Sequence, residues 1–281
     1  MNKLFKTIAI TAFSIFTLAA CSPDTSEKPV KILYPSWAEG VAMTNLAEYV
    51  LTDKGIAVET TLIEPGPLYA TLAKGDADLY LDAWLPNTHA DYWKRFGDKL
   101  ETIGVVFDDA SSGLAVPTYV DINSIEELNE NRAMFDGKIY GIGAGAGLHG
   151  NTIKAIEQYP LDYTQITSSE SSMMAELRRA VAANEPIIIT AWKPHYMWDI
   201  YDLKLLEDPK NLFPKEEIRI LSRQNFKADR PEVAAFFEKF QLNSDQLHEL
   251  MRLVGEDDRN PQAGAKKFYE LHKAEIDAWF Q

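Results

Sequence analysis

The stretch 30–85 alternates short apolar runs with helical ones, and that alternation constrains the fold more than any other feature. "VKILY" (30–34) is a run for a buried strand. From Glu39 to Lys54, the residues Val41, Met43, Leu46, Ala47, Val50 and Leu51 fall on one helical face, and Gly55 ends the helix. "VETTLI" is a second strand, "PLYATLAKG" a short helix closed by Gly75, and "ADLYLDAW" a third strand. Strand, helix, strand, helix, strand is the pattern of a parallel sheet built from right-handed βαβ units.

The pattern then starts again. "SSGLAVPTYV" is an extended apolar stretch broken by Pro117, and "SIEE" at Ser124–Glu127 is a capping box that opens a helix. Strand "KIYGI", a glycine-rich turn, a helix, a long helix from Ser171 to about Asn184 and strand "PIIIT" follow. The segment after the glycine turn reads as helix and loop. "EIRILS" is a return strand, and amphipathic helices are expected over 231–240, 244–255 and 261–280, with Trp279 a core anchor. Two α/β units and a helical tail predict two lobes crossing near 112–118 and 216–224. The boundaries are 30–113 for lobe 1, 114–218 for lobe 2 and 219–281 for the return into lobe 1. Ligands of open parallel sheets bind beyond the strands' carboxyl ends, here in a cleft between the lobes.

The N-terminus is a targeting signal rather than fold. Lys3 and Lys6 precede "TIAITAFSIFTLAA", an apolar run too short to span a bilayer comfortably. It ends in "LAAC" at Cys21, the sole cysteine of the 281 residues. Residues 1–20 resemble a bacterial lipoprotein signal, with Cys21 lipidated and 21–29 a polar tether; an ordinary signal cleaved near Ala20 is the alternative. No disulfide can form within the chain. Losing Lys3 and Lys6 moves the formal charge from −14 to −16. So acidic a chain is a poor partner for nucleic acid.

Three strand ends carry a tryptophan: Trp37 after "VKILYPS", Trp84 after "ADLYLDA" and Trp192 after "PIIITA". Just past a carboxyl end, each would meet the cleft, and indole faces attract cations, quaternary ammonium groups above all. Three core or interface tryptophans are the plainer alternative. "GIGAGAGLHG" (Gly141–Gly150) lacks the setting of a dinucleotide fingerprint. It suits either a carboxylate held by backbone N–H groups at a helix start or a tight turn with no ligand. Glu39 and Asp82 lie near the tryptophans and serve either the site or as loop and cap acids. His195 could donate to a ligand carboxylate. No G-x-S-x-G elbow or H-E-x-x-H motif occurs, and His89, His149, His195, His248 and His272 are scattered. Neither catalysis nor a metal or cofactor is expected.

In order along 30–230, "YPSWAEG", "GDADLYLDAWLPNTH", "GLAVPTYV", "GIGAGAG" and "ITAWKPHYM...YDLKLLEDP" resemble the glycine betaine/choline/carnitine-type substrate-binding proteins of ABC transporters. The resemblance implies an α/β, two-lobed periplasmic-binding-protein fold of type II kind, each lobe a mainly parallel sheet flanked by helices. It implies Trp37, Trp84 and Trp192 as cage walls, with backbone amides around Ala146, Gly147 and Leu148 for a carboxylate. It also implies permease and ATPase partners and a monomeric, extracytoplasmic receptor. Where some members place a further cage tyrosine this chain has Ser111 and Ser112, and Tyr196 stands where tryptophan is common. Glu39 matches an acidic position that helps hold choline in relatives, so glycine betaine, choline and carnitine all stay open as ligands. An enzyme acting on such solutes is the reading from another class.

Overall fold

A computed structural model describes residues 28–257 and 259–281. The signal sequence, Cys21 and the tether up to residue 27 lie outside the described residues.

The chain runs β1 (Val30–Tyr34), α1 (Ala38–Asp53), β2 (Val58–Leu62), α2 (Pro65–Lys74), β3 (Leu79–Leu85), α3 (Ala90–Phe96) and the long β4 (Leu100–Pro117). Next come β5 (Lys138–Gly141), α4 (Gly147–Gln158), β6 (Thr164–Thr167), α5 (Glu170–Ala183), β7 (Ile189–Lys193), α6 (Met197–Ile200) and β8 (Leu203–Leu205). Return strand β9 (Glu216–Arg223) leads to α7 (Phe226–Asp229), α8 (Pro231–Lys239), α9 (Ser244–Val254), α10 (Pro261–Leu271) and α11 (Lys273–Asp277).

The strands line up as β2-β1-β3-β9-β4-β7-β5-β6, with β8 beside β4. Both parallel sets expected from the apolar runs are present. β1 pairs in parallel with β2 and β3, and β5 with β6 and β7. The sheet as a whole is mixed, because antiparallel β9 and β4 join the two sets. β4 pairs with β9 from Leu100 to Ala110 and with β7 from Ser111 to Ala115, so one strand serves both groups. Gly104 is a requirement of that strand: a Cβ there would lie 2.6 Å from the Phe237 carbonyl oxygen, so only glycine lets α8 pack so close.

Four local expectations are revised. β6 stands where loop was expected, since "TQIT" offers a single large apolar residue to announce it. The Ser124 box is formed, with Ser124 N–H donating to Glu127 Oε1 at 2.8 Å, but it opens only a 3₁₀ turn, Ile125–Glu127. The extended stretch around Pro117 is the tail of an 18-residue strand. The last helix breaks at His272, which lets Trp279 fold back onto Phe236 and Phe240, with ring centroids 5.8 and 5.0 Å away. Trp279 is buried there, as a core anchor should be.

Candidate functional site

β1 and β3 run in parallel, so their carboxyl ends open at one level, and β7 delivers its own end there from the second group. Trp37 is the N-cap of α1, separated from the end of β1 by Pro35 and Ser36. Trp84 and Trp192 are the penultimate residues of β3 and β7, inside the strands rather than past them. All three line one cavity enclosing about 300 Å³ of atom-free space counted out to its mouth. Glu39, Thr88 and His89 complete the wall from the first group. Ser112 on the shared strand β4 adds to it, and Ile142, Ala146, Gly147 and Leu148 complete it from the other side. A larger cleft of about 1440 Å³ lies at the opposite, amino ends of β1 and β3, among Lys28, Lys31, Lys74 and Asp76. It is lined largely by charged side chains, whereas the smaller cavity sits where parallel strands place ligands.

The walls are stiff. Trp84 Nε1 donates to Asp82 Oδ1 at 2.9 Å. Its backbone N–H donates to His89 Nδ1 at 3.0 Å, which leaves the His89 proton on Nε2. The His89 ring stacks on Trp37 with centroids 5.9 Å apart. Trp192 pairs with Ser112 across β4 and β7, so the small serine faces the indole where a bulkier residue would fill the cavity. Trp198 Nε1 braces Trp192 from behind through the Trp192 carbonyl at 2.7 Å.

Glu216 pins the loop after β3. Its carboxylate accepts from Asn87 N–H at 3.2 Å, Thr88 N–H at 2.8 Å and the Thr88 hydroxyl. The Thr88 carbonyl so fixed sits against Gly147, where an added Cβ would be 1.7 Å from its oxygen. Gly147 and Leu148 begin α4, so their amides have no preceding helical carbonyl. The Ala146 amide differs from the expectation in one respect: it donates to Gly143 O at 2.9 Å.

Burial dominates the electrostatics. Glu39 and Asp82 are almost wholly buried, and loss of solvent pushes both carboxyl groups well above the usual range. The Asp82 and Glu170 charges push Glu39 further, while the Trp84 indole N–H opposes the shift at Asp82. Trp192 also counters the shift of Glu39, yet its Nε1 and Glu39 Oε2 both lack a partner at good hydrogen-bond geometry. Burial holds His89 down to about 3. His89 Nε2 and Ser112 Oγ are likewise unpartnered, so four orphaned polar groups border one aromatic cavity. Buried polar atoms are normally satisfied, and a polar ligand is one way to satisfy them. Among the described residues no cluster of His, Cys, Asp and Glu could hold a metal.

His195 is not part of this wall. It is fully buried, with Nδ1 accepting from Met197 N–H and Nε2 on Glu170 Oε1, both at 3.0 Å. Its ring lies edge-on to Trp192 at 4.7 Å and stacks on Tyr196 at 4.3 Å. Thr88 and Ile142 were not singled out from the sequence, and His89 was legible only as the last residue of "LPNTH". Its packing against Trp37 is a tertiary fact.

A mixed α/β sheet with an aromatic cavity at the carboxyl ends of two parallel sets defines a ligand receptor of the periplasmic-binding-protein kind. Over residues 28–270 the chain matches the substrate binding domain of ABC-type glycine betaine transport systems, and it belongs to that family. Its relatives are substrate-binding transport proteins, not enzymes. The structure is similar to lactococcal OpuAC in its closed-liganded conformation with glycine betaine. The TM-score is 0.86 and the identity 32%, over 91% of this chain and 100% of that one. It is also similar to the glycine betaine/L-proline-binding protein ProX of Borrelia burgdorferi, with TM-score 0.87 and 31% identity over 90% and 97% of the two chains. The glycine betaine/carnitine transport binding protein GbuC of Listeria monocytogenes is 34% identical over 145 residues, 50% of this chain and 48% of that protein. The chain thus spans about half the length of the curated relative it matches.

Proposed function

We propose that the chain captures a quaternary-ammonium compatible solute, glycine betaine first, for an ABC importer. The observation that carries this is the meeting of Trp37, Trp84 and Trp192 in one cavity beside the first amides of α4. The three indoles would cage the trimethylammonium group, and the Gly147 and Leu148 amides would hold the carboxylate. Three desolvated cation–π contacts at about 2 kcal/mol each, with charge-assisted hydrogen bonds at about 1.5–3 kcal/mol each, exceed the roughly 8 kcal/mol of a micromolar complex. The excess offsets ligand ordering and cleft closure. The lobes are 30–113 with 219–281, and 114–218. Because each contributes walls, ligand would favour the closed arrangement. The relatives solved or described with betaines support the same class.

Choline is the second reading, favoured by Glu39, a wall residue whose buried Oε2 lacks a partner at good hydrogen-bond geometry. In both readings the receptor is a monomer tethered through lipidated Cys21 outside the cytoplasm, serving a permease and an ATPase. Among the described residues no helix is long and apolar enough to cross a membrane. Calorimetry and tryptophan fluorescence with glycine betaine, choline and carnitine test the proposal. No binding at millimolar concentration would refute it. Glu39→Gln should weaken choline and leave betaine unchanged or tighter. Cys21→Ala should release the protein from the membrane fraction.

A further inference from the structure

The helix that carries Trp37 and Glu39 is held by a residue from the far strand group. α1 starts with amides that have no helical acceptor, and the Ala38 N–H donates to Glu170 Oε2 at 3.1 Å, across 132 positions of sequence. Glu170 opens α5, and its side chain is 9% exposed, so little solvent competes for it. Its other oxygen meets His195 Nε2 at 3.0 Å. Because His195 Nδ1 already accepts from Met197 N–H, Nε2 is the ring's only donor and the imidazole is fixed as a clamp on the carboxylate. Tyr196 stacks on the ring and Trp192 meets it edge-on. None of Ala38, Glu170 and His195 lines the cavity.

We propose that Glu170 is a latch between the two strand groups, oriented by His195 and seated on the amino end of α1, which sets the lifetime of the closed cage. A carboxylate is suited to that end of a helix, where the amides and the macrodipole both favour negative charge. The contact joins Trp37 and Glu39 on one side to Trp192 on the other through three links: Ala38 amide, carboxylate, imidazole. It forms without any atom of ligand. Its effect therefore falls on opening, so dissociation slows while association is little altered. His195 acts on ligand only through Glu170, as a positioning residue. A carboxamide could not replace the latch fully. Its single oxygen can serve Ala38 or His195, and its NH₂ group would face a donor at the other.

This inference rests on the proposed capture of a quaternary ammonium by cleft closure, and two readouts on the full chain separate the two. The first is glycine betaine dissociation by stopped-flow tryptophan fluorescence. Glu170→Ala should speed it by about ten- to a hundredfold, the range of a lost hydrogen bond to a charged group, with Glu170→Gln in between. The second is amide exchange at Ala38, which should be faster in Glu170→Ala than in the wild-type chain, while the ligand-free melting temperature changes little. A purely structural role would lower that melting temperature and leave dissociation alone. Should Glu170→Ala fail to fold, Glu170→Gln carries both measurements. Unchanged dissociation together with unchanged Ala38 exchange overturns the latch. If the wild-type chain binds no quaternary ammonium, the proposed function fails. Ala38 exchange alone then decides: faster in the variant keeps the latch, equal removes it.

Discussion

Gly147→Ala separates closure from folding. In the arrangement described, a Cβ at Gly147 would stand 1.7 Å from the Thr88 carbonyl oxygen and 2.9 Å from its Cγ2, where real Cβ contacts essentially never fall below 3.0 Å. Thr88 has little freedom to retreat, because Glu216 holds both its amide and its hydroxyl. The two walls must therefore separate. Overpacking of this kind costs about 1–3 kcal/mol or more, which lowers betaine affinity by roughly ten- to a hundredfold. The fold itself should not suffer. Gly147 is absent from the residues with left-handed backbone, and it occupies a helical position. Alanine there removes freedom from the unfolded chain and adds about 0.4–1 kcal/mol of stability. The amide that would meet the carboxylate is kept. Calorimetric titration and thermal denaturation of the ligand-free chain should move in opposite directions: weaker binding, equal or higher melting temperature. Wild-type affinity in the variant would refute the apposition of Thr88 and Gly147 in the bound state. A large fall in melting temperature alongside the affinity loss would show that the clash belongs to the fold and not to closure.

Trp192→Ala removes a wall of the proposed cage and should weaken betaine binding about thirtyfold or more, taking about 2 kcal/mol for a desolvated cation–π contact. Trp198→Ala removes only a brace and should cost less than about tenfold; equal losses by calorimetry would contradict the assignment. Glu39 and Asp82 hold protons in the folded chain at pH values where the unfolded chain has released them, so stability falls as pH rises above the ordinary carboxylate range. Glu39→Gln and Asp82→Asn should flatten that fall and raise the ligand-free melting temperature at pH 7–8 by about 2–4 °C per kcal/mol relieved. His89 has the opposite sign. Its stability contribution is present above the unfolded value near 6.5 and is lost as pH falls toward about 3. The expected slope is about 1.4 kcal/mol per pH unit, and denaturant melts of His89→Gln should lose that acid limb.

Local pattern carries far when the signal is periodic. The apolar runs marked β1, β3, β5 and β7, and the spacing of Val41, Leu46 and Val50 with Gly55 marked α1, because burying one face leaves its period in the sequence. It carries less where pairing partners supply the order: β6, "TQIT", has a weak run of its own and is a strand because β5 bonds to it. The break at His272 accompanies the packing of Trp279 on Phe236, a contact that helical periodicity cannot register.

The site divides in the same way. The sequence by itself determined that three tryptophans stand at three strand ends and that a glycine turn opens a helix. Only tertiary structure decided that all of these border one cavity. It also decided that Glu39 is buried beside the charges of Asp82 and Glu170, and that His195 turns its nitrogens to Glu170 and Met197 instead of the cavity. The reason is distance along the chain. Periodicity is set by neighbours within a turn or a strand, whereas the direction of His195 and the hold of Glu170 on Ala38 depend on groups up to 132 residues apart. Those meet only once the sheet has packed.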